Sequence, residues 1–329
     1  MKKICIWLLL AMLAFCCTVL AENEVSLTYR NLGEGLYRLG DTGYIVEHWT
    51  DFISDDYLIR NISRNAKQYN TYIPLDGTVK KYVYFIESPR CVNMAEDLSG
   101  ENAIYRKILD EFESTATSTL ALDHYTQYLD WFYVTDHHWN HKGSYQAYCD
   151  IIDMMFGPEE EKLVPIEEVE FEDIPFNGSF HSMLNYSRSP ENFKVYRFPD
   201  YVPYTATVNG SPAKTYGNYE RYFAGKYQRM TVYNHYNAFY GGDRSELILK
   251  TNRPEKKTLL MFSNSYSDAI KLLLLQHYDA IYAIDPRFYE NEQGKKFNAQ
   301  KYIDKHEIDD VLILGDVSFF VRTFGLSGY

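Results

Sequence analysis

The sequence predicts an α/β fold in which a mainly parallel sheet is covered by helices on both faces. Near the C-terminus, apolar segments that have the composition of buried strands alternate with helical segments. The predicted strands are Thr258–Phe262, Ala280–Asp285 and Asp310–Gly315, and the predicted helices are Tyr266–His277 and Ala299–His306. The strands are continuously apolar, as strands covered on both faces are. Because parallel strands need a long crossover that usually contains a helix, the alternation favours βαβ units.

Earlier segments follow the same alternation. A β-branched and aromatic run predicts a strand at Lys81–Glu87, and apolar residues at helical spacing predict a helix over Asn102–Ser114. A second strand is predicted at Trp131–Val134. Asn140 is a good N-cap for the helix that follows, and Gly157 ends that helix. In sheets of this type ligands bind at the carboxyl ends of strands, so residues that follow strands are the first site candidates.

The regular pattern breaks between residues 158 and 229. This stretch has an acidic run, scattered proline and glycine, and short alternating pieces, and we interpret it as an irregular, partly β insertion. The length of residues 22–329 suits a single domain that carries such an insertion. No repeat of solenoid period is evident.

The first 21 residues have the order of a secretory signal peptide. Two lysines precede the apolar run of residues 4–20, and small or aliphatic residues lie before Glu22. An uncleaved membrane anchor is the alternative, since the run barely reaches the length that spans a bilayer. In both cases we expect an exported protein that is secreted or held at the cell surface or membrane.

Composition narrows the range of partners. The formal net charge of −12 argues against nucleic acid and anionic lipid. Of the 5 cysteines, only Cys91 and Cys149 lie outside the N-terminal segment, which excludes a structural metal site of the multi-cysteine type. The 31 tyrosines are compatible with sugar-stacking surfaces, although ordinary packing accounts for most of them.

The stretch "YVTDHHWNHKGSYQAY", residues 133–148, concentrates an aspartate and several histidines. In an extended segment, side chains two positions apart point the same way, so Asp136 and His138 would face one side and His137 the other. A carboxylate beside an imidazole fixes its tautomer and stabilises the imidazolium, as a general base requires. His141 falls in the first turn of the following helix and does not align with that pair.

The partner of such a base would be a nucleophile, and Ser265 is the best candidate. In "MFSNSYSD" a tight turn from strand to helix would present its hydroxyl at the carboxyl end of the strand. Unpaired N–H groups at the start of the helix could help stabilise an oxyanion. Ser263 and Ser267 are alternative nucleophiles, and helix capping is the structural alternative for Ser265.

Several blocks of the sequence resemble a known family. "TDHHW" followed by "GSYQAY", and later "LLMFSNSYS", "YAIDPRFY" and "IDDVLILG", resemble in the same order the blocks of the DHHW family of exported bacterial proteins. That family is similar to the SGNH-like domains of the alginate O-acetyltransferases, and the resemblance runs from about Tyr82 to Leu314. It implies a flavodoxin-like α/β/α three-layer fold. The Asp-x-His pair that precedes the serine in those domains matches Asp136, His138 and Ser265.

The resemblance also implies O-acyl transfer or ester hydrolysis on a surface polysaccharide, and it includes one departure. The usual Gly-Asp-Ser turn is replaced by Ser263-Asn264-Ser265, so the glycine that eases a tight turn is absent.

Further residues are candidates for substrate binding. Arg287 follows a predicted strand, where it could clamp a carboxylate or an anionic sugar or form a salt bridge with a neighbouring aspartate. Trp139 is either a sugar-stacking ring or a core anchor beneath the motif. The glycine pair could let a loop approach the substrate or simply form a turn. The substrate-binding candidates are Arg287, Trp139, Tyr266, Gly241 and Gly242.

Three functions remain open from the residues. The first is a serine O-acyltransferase or acetylesterase that acts on a polysaccharide or another acylated glycan, alone or beside a membrane acyl-transfer protein. The second is a non-catalytic glycan-binding or surface-assembly protein, which the altered turn favours. The third is a metal-dependent hydrolase built on Asp136, His137, His138 and His141, although adjacent histidines rarely converge on one ion. We expect the first, with no cofactor and no metal.

Overall fold

The computed structural model of the chain describes residues 28–47, 53–75, 79–88, 90, 103–120, 122, 125–185, 191–227, 234–322 and 326–327. The strands in this part of the chain, in order, are β1 (Tyr29–Gly33), β2 (Leu36–Leu39), β3 (Ile45–Glu47), β4 (Lys80–Ile86), β5 (Ala116–Leu120), β6 (Glu167–Pro175), β7 (Asn192–Arg197), β8 (Thr205–Val208), β9 (Ser211–Ala213), β10 (Glu246–Lys250), β11 (Lys257–Ser263), β12 (Tyr278–Ile284), β13 (Phe297–Asn298), β14 (Asp310–Asp316) and β15 (Leu326–Ser327).

The α-helices are α1 (Asp55–Tyr72), α2 (Ala103–Glu111), α3 (Tyr125–Trp131), α4 (His141–Phe156), α5 (Ser179–Met183), α6 (Tyr219–Phe223), α7 (His235–Tyr240), α8 (Lys271–Leu274), α9 (Pro286–Gln293), α10 (Ala299–His306) and α11 (Val317–Phe320). A short 3₁₀ helix spans Ser265–Ala269.

The central sheet has eight strands in the order β5-β4-β14-β11-β12-β10-β8-β9. The strands from β5 to β12 in this order are parallel to one another. Each of the next three strands, β10, β8 and β9, is antiparallel to the strand before it. The predicted α/β class with a mainly parallel sheet is confirmed.

Helices cover both faces of the sheet. The side chains of each strand alternate between the faces, so neighbouring residues of β4 contact helices on opposite sides. In β4, Tyr84 points towards α4 and donates a hydrogen bond to Asp150 at 3.0 Å. The next residue, Phe85, points to the opposite face and packs against Phe320 of α11. On that same face Tyr69 of α1 packs against Phe262 of β11. Cover on both sides explains why the central strands are continuously apolar.

Most predicted elements are present with small shifts at their ends, but the predicted strand Trp131–Val134 is wrong. Trp131 ends α3, and the following residues form a loop closed by an isolated bridge between Phe132 and Trp139. The side-chain amide of Asn140 donates to the carbonyl oxygens of Asp130 and Phe132, which holds the loop in place of a strand. Asn140 also caps α4, as predicted, by accepting hydrogen bonds from the first N–H groups of the helix.

The predicted helix Tyr266–His277 is shorter and divided. The 3₁₀ helix comes first and α8 follows it. The run of leucines from Leu272 to Leu275 is fully buried, so its apolar character reflects cover on all sides and not one face of a long helix.

Two further regions contact this core. Residues 158–229 contain the antiparallel pair β6 and β7, the helices α5 and α6, and strands β8 and β9, which extend the central sheet at one edge. Near the N-terminus β1, β2 and β3 form a small antiparallel sheet, and Ile45 N–H donates to the carbonyl oxygen of Val134 at 3.0 Å. The single domain over residues 22–329, with its insertion at about 158–229, stays a prediction.

The predicted signal segment, residues 1–21, lies outside the described residues. In the part of the chain that the structure describes, no helix combines the length and the apolar character needed to cross a membrane. Cys149 has a free thiol, and Cys91 also lies outside the described residues.

Candidate active site

Three side chains from distant parts of the chain form one hydrogen-bonded line. His138 Nε2 lies 2.7 Å from Ser265 Oγ, and His138 Nδ1 lies 2.5 Å from Asp136 Oδ1. A carboxylate oxygen only accepts, so Nδ1 carries the proton of the neutral imidazole and Nε2 accepts from the serine hydroxyl. The predicted contact between Ser265 and His138 is confirmed. All three side chains are buried: Ser265 is 6% exposed and His138 is 3% exposed.

The loop that carries Asp136 and His138 is folded around the aspartate. Asp136 Oδ1 accepts a hydrogen bond from the His138 N–H at 2.8 Å, which forms a turn between the aspartate side chain and the backbone two residues on. Asp136 Oδ2 accepts from the N–H of Ser179, the first residue of α5, at 2.6 Å. Asp136 and His138 therefore face each other, as predicted, but this turn is the cause and not an extended strand.

The surroundings of Asp136 keep it ionised. Burial alone would raise the pKa of this carboxyl, but the electrostatic interaction with the imidazole rings of His138 and His137 and the hydrogen bonds from His138 outweigh burial and hold the pKa far below its ordinary value. Burial, together with the Arg90 guanidinium, lowers the pKa of His137, so this second ring is neutral. His137 Nδ1 lies 2.7 Å from Ser179 Oγ and belongs to the support of the loop.

Ser265 lies two residues beyond the last residue of β11, at the carboxyl ends of the parallel strands. Asn264 connects it to the strand in an extended conformation, with φ −100° and ψ −167°, and no residue of the Ser263-Asn264-Ser265 turn has a positive φ. The backbone therefore does not require the glycine that the turn lacks. The side-chain amide of Asn264 donates to Asp316 Oδ1 at 3.1 Å and anchors the turn to the end of β14.

Tyr236 of α7 contacts both the histidine and the serine backbone. Its ring stacks on the His138 ring, with centroids 4.3 Å apart and an angle of 16° between the planes. Its hydroxyl lies 3.2 Å from the carbonyl oxygens of Ser265 and Tyr266 and can donate a hydrogen bond to either of them. The same hydroxyl accepts from Trp139 Nε1 at 3.2 Å. Tyr236 thus fixes the imidazole of His138 relative to the backbone of Ser265.

Glu191 anchors the loop from another side. Its Oε1 accepts from the Thr135 N–H at 3.0 Å and lies 3.1 Å from Thr135 Oγ1. Burial is the main cause that raises the pKa of Glu191, to about 7, and the nearby charge of Asp136 adds to the rise. The loop residue next to Asp136 is therefore held by a carboxyl that titrates near neutral pH.

Two predicted substrate contacts are fully buried. Trp139 and Tyr266 have no exposed surface, and their rings pack edge to face with centroids 5.3 Å apart. The Tyr266 hydroxyl donates to the carbonyl oxygen of His137 at 2.5 Å. In this structure neither ring offers a face to a sugar, and both support the loop and the turn.

The remaining predicted contacts, Arg287 and the glycine pair, have structural roles in the fold. Arg287 Nε lies 2.9 and 3.0 Å from the two oxygens of Asp285, and its Nη2 lies 2.6 Å from Asp243 Oδ1. This is the salt-bridge alternative for Arg287. Gly241 and Gly242 follow α7 with φ of 109° and 68°, so both have left-handed conformations that favour glycine.

The site also contains a group that could hold a metal ion. Asp136, His137 and His138 each offer one ligand atom, and these atoms lie within 4.8 Å of one another. Both ring nitrogens of His138, however, already have protein partners. His141, the fourth residue of the metal hypothesis, is not in this group: it packs on Tyr196, and its Nε2 lies 3.4 Å from a Glu168 oxygen.

Sequence patterns do not reveal three residues that support the site, namely Tyr236, Glu191 and Ser179. Each comes from a segment well beyond the histidine cluster, and none belongs to a periodic pattern that points to the site. The only signal for Tyr236 is its position in a tyrosine-rich helix that ends at a glycine pair.

The sheet order, the helices on both faces and the position of the serine after a central strand are consistent with an SGNH-like α/β/α fold. No protein-family model and no curated protein sequence matches the chain. Solved structures do match, and they are similar in fold over nearly the whole chain.

A DHHW family protein from Eubacterium siraeum has a TM-score of 0.64 and 18% identity over 90% of this chain and 95% of its own. PatB1 from Bacillus cereus has a TM-score of 0.60 and 15% identity over 90% of this chain and 98% of its own. A second structure of PatB1, with a sulfonyl adduct, has a TM-score of 0.59 and 16% identity, and it covers 89% of this chain and 97% of its own. The resemblance to the DHHW family is thereby confirmed for the fold.

Proposed function

We propose that the chain is an exported serine-dependent O-acyltransferase or acetylesterase that acts on a cell-surface or extracellular polysaccharide. The observation that carries the proposal is the hydrogen-bonded line from Asp136 through His138 to Ser265. A carboxylate, an imidazole and a hydroxyl in this order form the arrangement that activates serine in acyl transfer. Export rests on the predicted signal segment, and the polysaccharide rests on the resemblance of the sequence blocks.

The arrangement supports a two-step reaction through an acyl-serine. Ser265 Oγ attacks the carbonyl carbon of the acyl donor while His138 Nε2 takes the hydroxyl proton, and the leaving oxygen departs with that proton. A glycan hydroxyl or a water molecule then gives its proton to His138 and attacks the acyl carbon. Ser265 departs and regains the proton. Asp136 holds His138 in the tautomer that both steps need and stabilises the imidazolium.

The backbone N–H groups of Ser265 and Tyr266 are the donors that we assign to the oxyanion. They belong to the first turn of the 3₁₀ helix, where N–H groups have no partner within the helix. They lie next to the nucleophile, so they can donate to the oxygen that becomes negative during attack.

Turnover of an acetyl ester tests the proposal. Ser265→Ala should reduce the release of 4-nitrophenol from 4-nitrophenyl acetate by at least about 10³-fold, because the nucleophile is lost while the fold remains. Asp136→Asn should reduce it by about 10²–10⁴-fold through the His138 tautomer. Ser267→Ala is the matched control, since this hydroxyl lies in the same helix but contacts Ser263. Equal rates for wild type and Ser265→Ala would reject the proposal.

The second candidate function is a non-catalytic glycan-binding protein on the same fold. The observation that favours it is the low exposure of Ser265 and His138, which leaves little surface for a substrate to reach. In that case wild-type protein binds glycans but hydrolyses and transfers no acetyl ester, and Asp136, His138 and Ser265 have only a structural role.

A further inference from the structure

We propose that a groove along the edge strand β5 is a second ligand site, which binds an uncharged glycan chain at a place separate from Ser265. This cavity, the β5 groove, has a volume of about 610 Å³. Its lining includes Ser118, Thr119, Gln127, Trp131, Gln146 and Asp150. None of Asp136, His138 and Ser265 lines it.

The position of β5 gives the β5 groove a wall of backbone polar groups. Among the described residues β5 pairs only with β4, so the outward N–H and C=O groups of its other edge have no strand partner. These outward N–H and C=O groups are donors and acceptors, and the hydroxyl groups of a glycan can pair with both kinds.

The helix α4 contributes planar polar groups to the lining of the groove. Gln146 and Asp150 lie one turn apart on α4, and Gln146 Nε2 donates to Asp150 Oδ1 at 2.8 Å. An amide and a carboxylate side by side present a donor and acceptors in neighbouring positions, as adjacent sugar hydroxyls require. Trp131 at the end of α3 is partly exposed and supplies the apolar ring on which a sugar can stack.

Charge selects the class of glycan. Among the described residues that line the β5 groove, the charged ones are Asp150 and Asp153, and none is a lysine or an arginine. Asp153 is paired with Lys162 at 2.5 Å, whereas Asp150 accepts from Gln146 and Tyr84. An anionic polymer would be repelled by these two carboxylates, so an uncharged chain fits the groove better than an anionic one.

A peptide strand is the competing occupant of an open sheet edge. A peptide that adds to a sheet uses backbone hydrogen bonds for affinity and apolar sockets for its alternate side chains. The described lining of the β5 groove offers few such sockets, because its large apolar residues are Trp131 and Met154 and the other side chains carry mostly hydroxyl, amide and carboxylate groups. The lining therefore favours sugar over peptide.

This inference extends the proposed function, since a polymer held in the β5 groove would stay with the enzyme between reactions at Ser265. It does not depend on the chemistry of Ser265, because binding and turnover are separate measurements. Ser265→Ala should keep full affinity for the glycan.

A glycan array that contains uncharged, amino and anionic oligosaccharides is the test, followed by titration of the best binder. Wild type and Ser265→Ala should bind uncharged chains. Trp131→Ala and Gln146→Ala should each weaken binding by about tenfold or more, and Trp131→Phe should recover most of the loss because a stacking ring remains. Tyr57→Ala is the matched control, since Tyr57 is 52% exposed and does not line the groove.

Several outcomes would overturn the proposal: no binding to any glycan on the array, binding to anionic glycans only, or binding that Trp131→Ala and Gln146→Ala leave unchanged. Sedimentation that shows a dimer disrupted by Ser118→Pro would assign the groove to a second copy of the chain. Thermal melting of each variant shows that it is folded. Because the side chain of Gln146 is exposed, Gln146→Ala should not disturb folding. Failure of the proposed function would appear separately, as ester turnover that survives Ser265→Ala.

Discussion

At the scale of single residues, Tyr236 determines how His138 meets Ser265. Its ring lies against the imidazole, and its hydroxyl bonds the backbone of the serine turn. A stacked ring restricts rotation of the imidazole, and a bonded carbonyl restricts the turn. Because acyl transfer depends on the alignment of nucleophile and base, a small displacement is expected to affect the rate strongly.

Tyr236→Phe separates these two contacts, because it removes the hydroxyl and keeps the stacked ring. We expect kcat for acetyl ester hydrolysis to fall by about 10- to 100-fold with little change in KM, since alignment is lost and not substrate binding. Trp139 Nε1 also loses its acceptor, so the free energy of unfolding should fall by about 1–3 kcal/mol. Kinetics on folded protein and urea unfolding measure the two effects. Tyr57→Phe, on an exposed tyrosine, should change neither, and an unchanged kcat in Tyr236→Phe would contradict the role.

The chemistry of single residues could be predicted where two reactive groups lie close in sequence or follow a strand. Asp136 and His138 are two apart, and Ser265 follows an apolar strand, so their contact could be expected. The partners of Arg287 and the burial of Trp139 could not be chosen from the alternatives, because each depends on residues far along the chain. Glu191 carries no local signal and Tyr236 has only its place in a tyrosine-rich helix, since the folded chain alone brings them to the loop.

At the scale of elements, the loop of residues 132–140 is held by contacts from three directions. Asn140 closes its base, Ser179 of α5 bonds Asp136, and Glu191 bonds Thr135. Local patterning suggested a strand, and the side-chain hydrogen bonds of Asp136 and Asn140 prevail over that preference. The helix α4 after the loop was predictable because its cap and its terminating glycine are local.

Glu191 makes the stability of this loop depend on pH. Its pKa in the folded chain is about 7, against 4.5 for an ordinary glutamate, so the folded state binds the proton more tightly than the unfolded state. The stabilisation is complete below about pH 4.5 and is lost as pH rises through about 7. Relative to Glu191→Gln, the wild-type free energy of unfolding should therefore fall by roughly 3 kcal/mol between low pH and pH 8.

Urea unfolding at several pH values between about 4 and 8 measures this difference. Glu172→Gln is the control, because it makes the same change of charge on an exposed side chain. A constant difference between wild type and Glu191→Gln over the whole range would show that Glu191 does not titrate as its burial requires.

At the scale of the whole molecule, the parallel centre of the sheet was predictable and its edges were not. The strands β11, β12 and β14 are apolar along their length because both faces are covered, and this leaves a clear signal in the sequence. The strands β8, β9 and β10 are short and partly exposed, and their pairing is set by neighbours and not by their own residues. The small sheet of β1 to β3 is unpredictable for the same reason.

Metal removal distinguishes the whole mechanism from the hydrolase alternative. Asp136, His137 and His138 could hold an ion, but the contacts of His138 on both ring nitrogens favour the role of a base. We therefore expect ester turnover to survive dialysis against EDTA, with a zinc enzyme treated in parallel as the control. Loss of turnover that added zinc restores would replace the serine mechanism with the metal mechanism.

The serine mechanism requires Ser265 as the nucleophile, and covalent labelling identifies the nucleophile itself. A sulfonyl fluoride should react with the wild-type protein, and peptide mapping by mass spectrometry should place the adduct on Ser265. Asp136→Asn should slow labelling, because the His138 tautomer is disturbed, and Ser265→Ala should abolish it. An adduct on Ser263 or Ser267, or no adduct in wild-type protein that hydrolyses acetyl esters, would rule out Ser265 as the nucleophile.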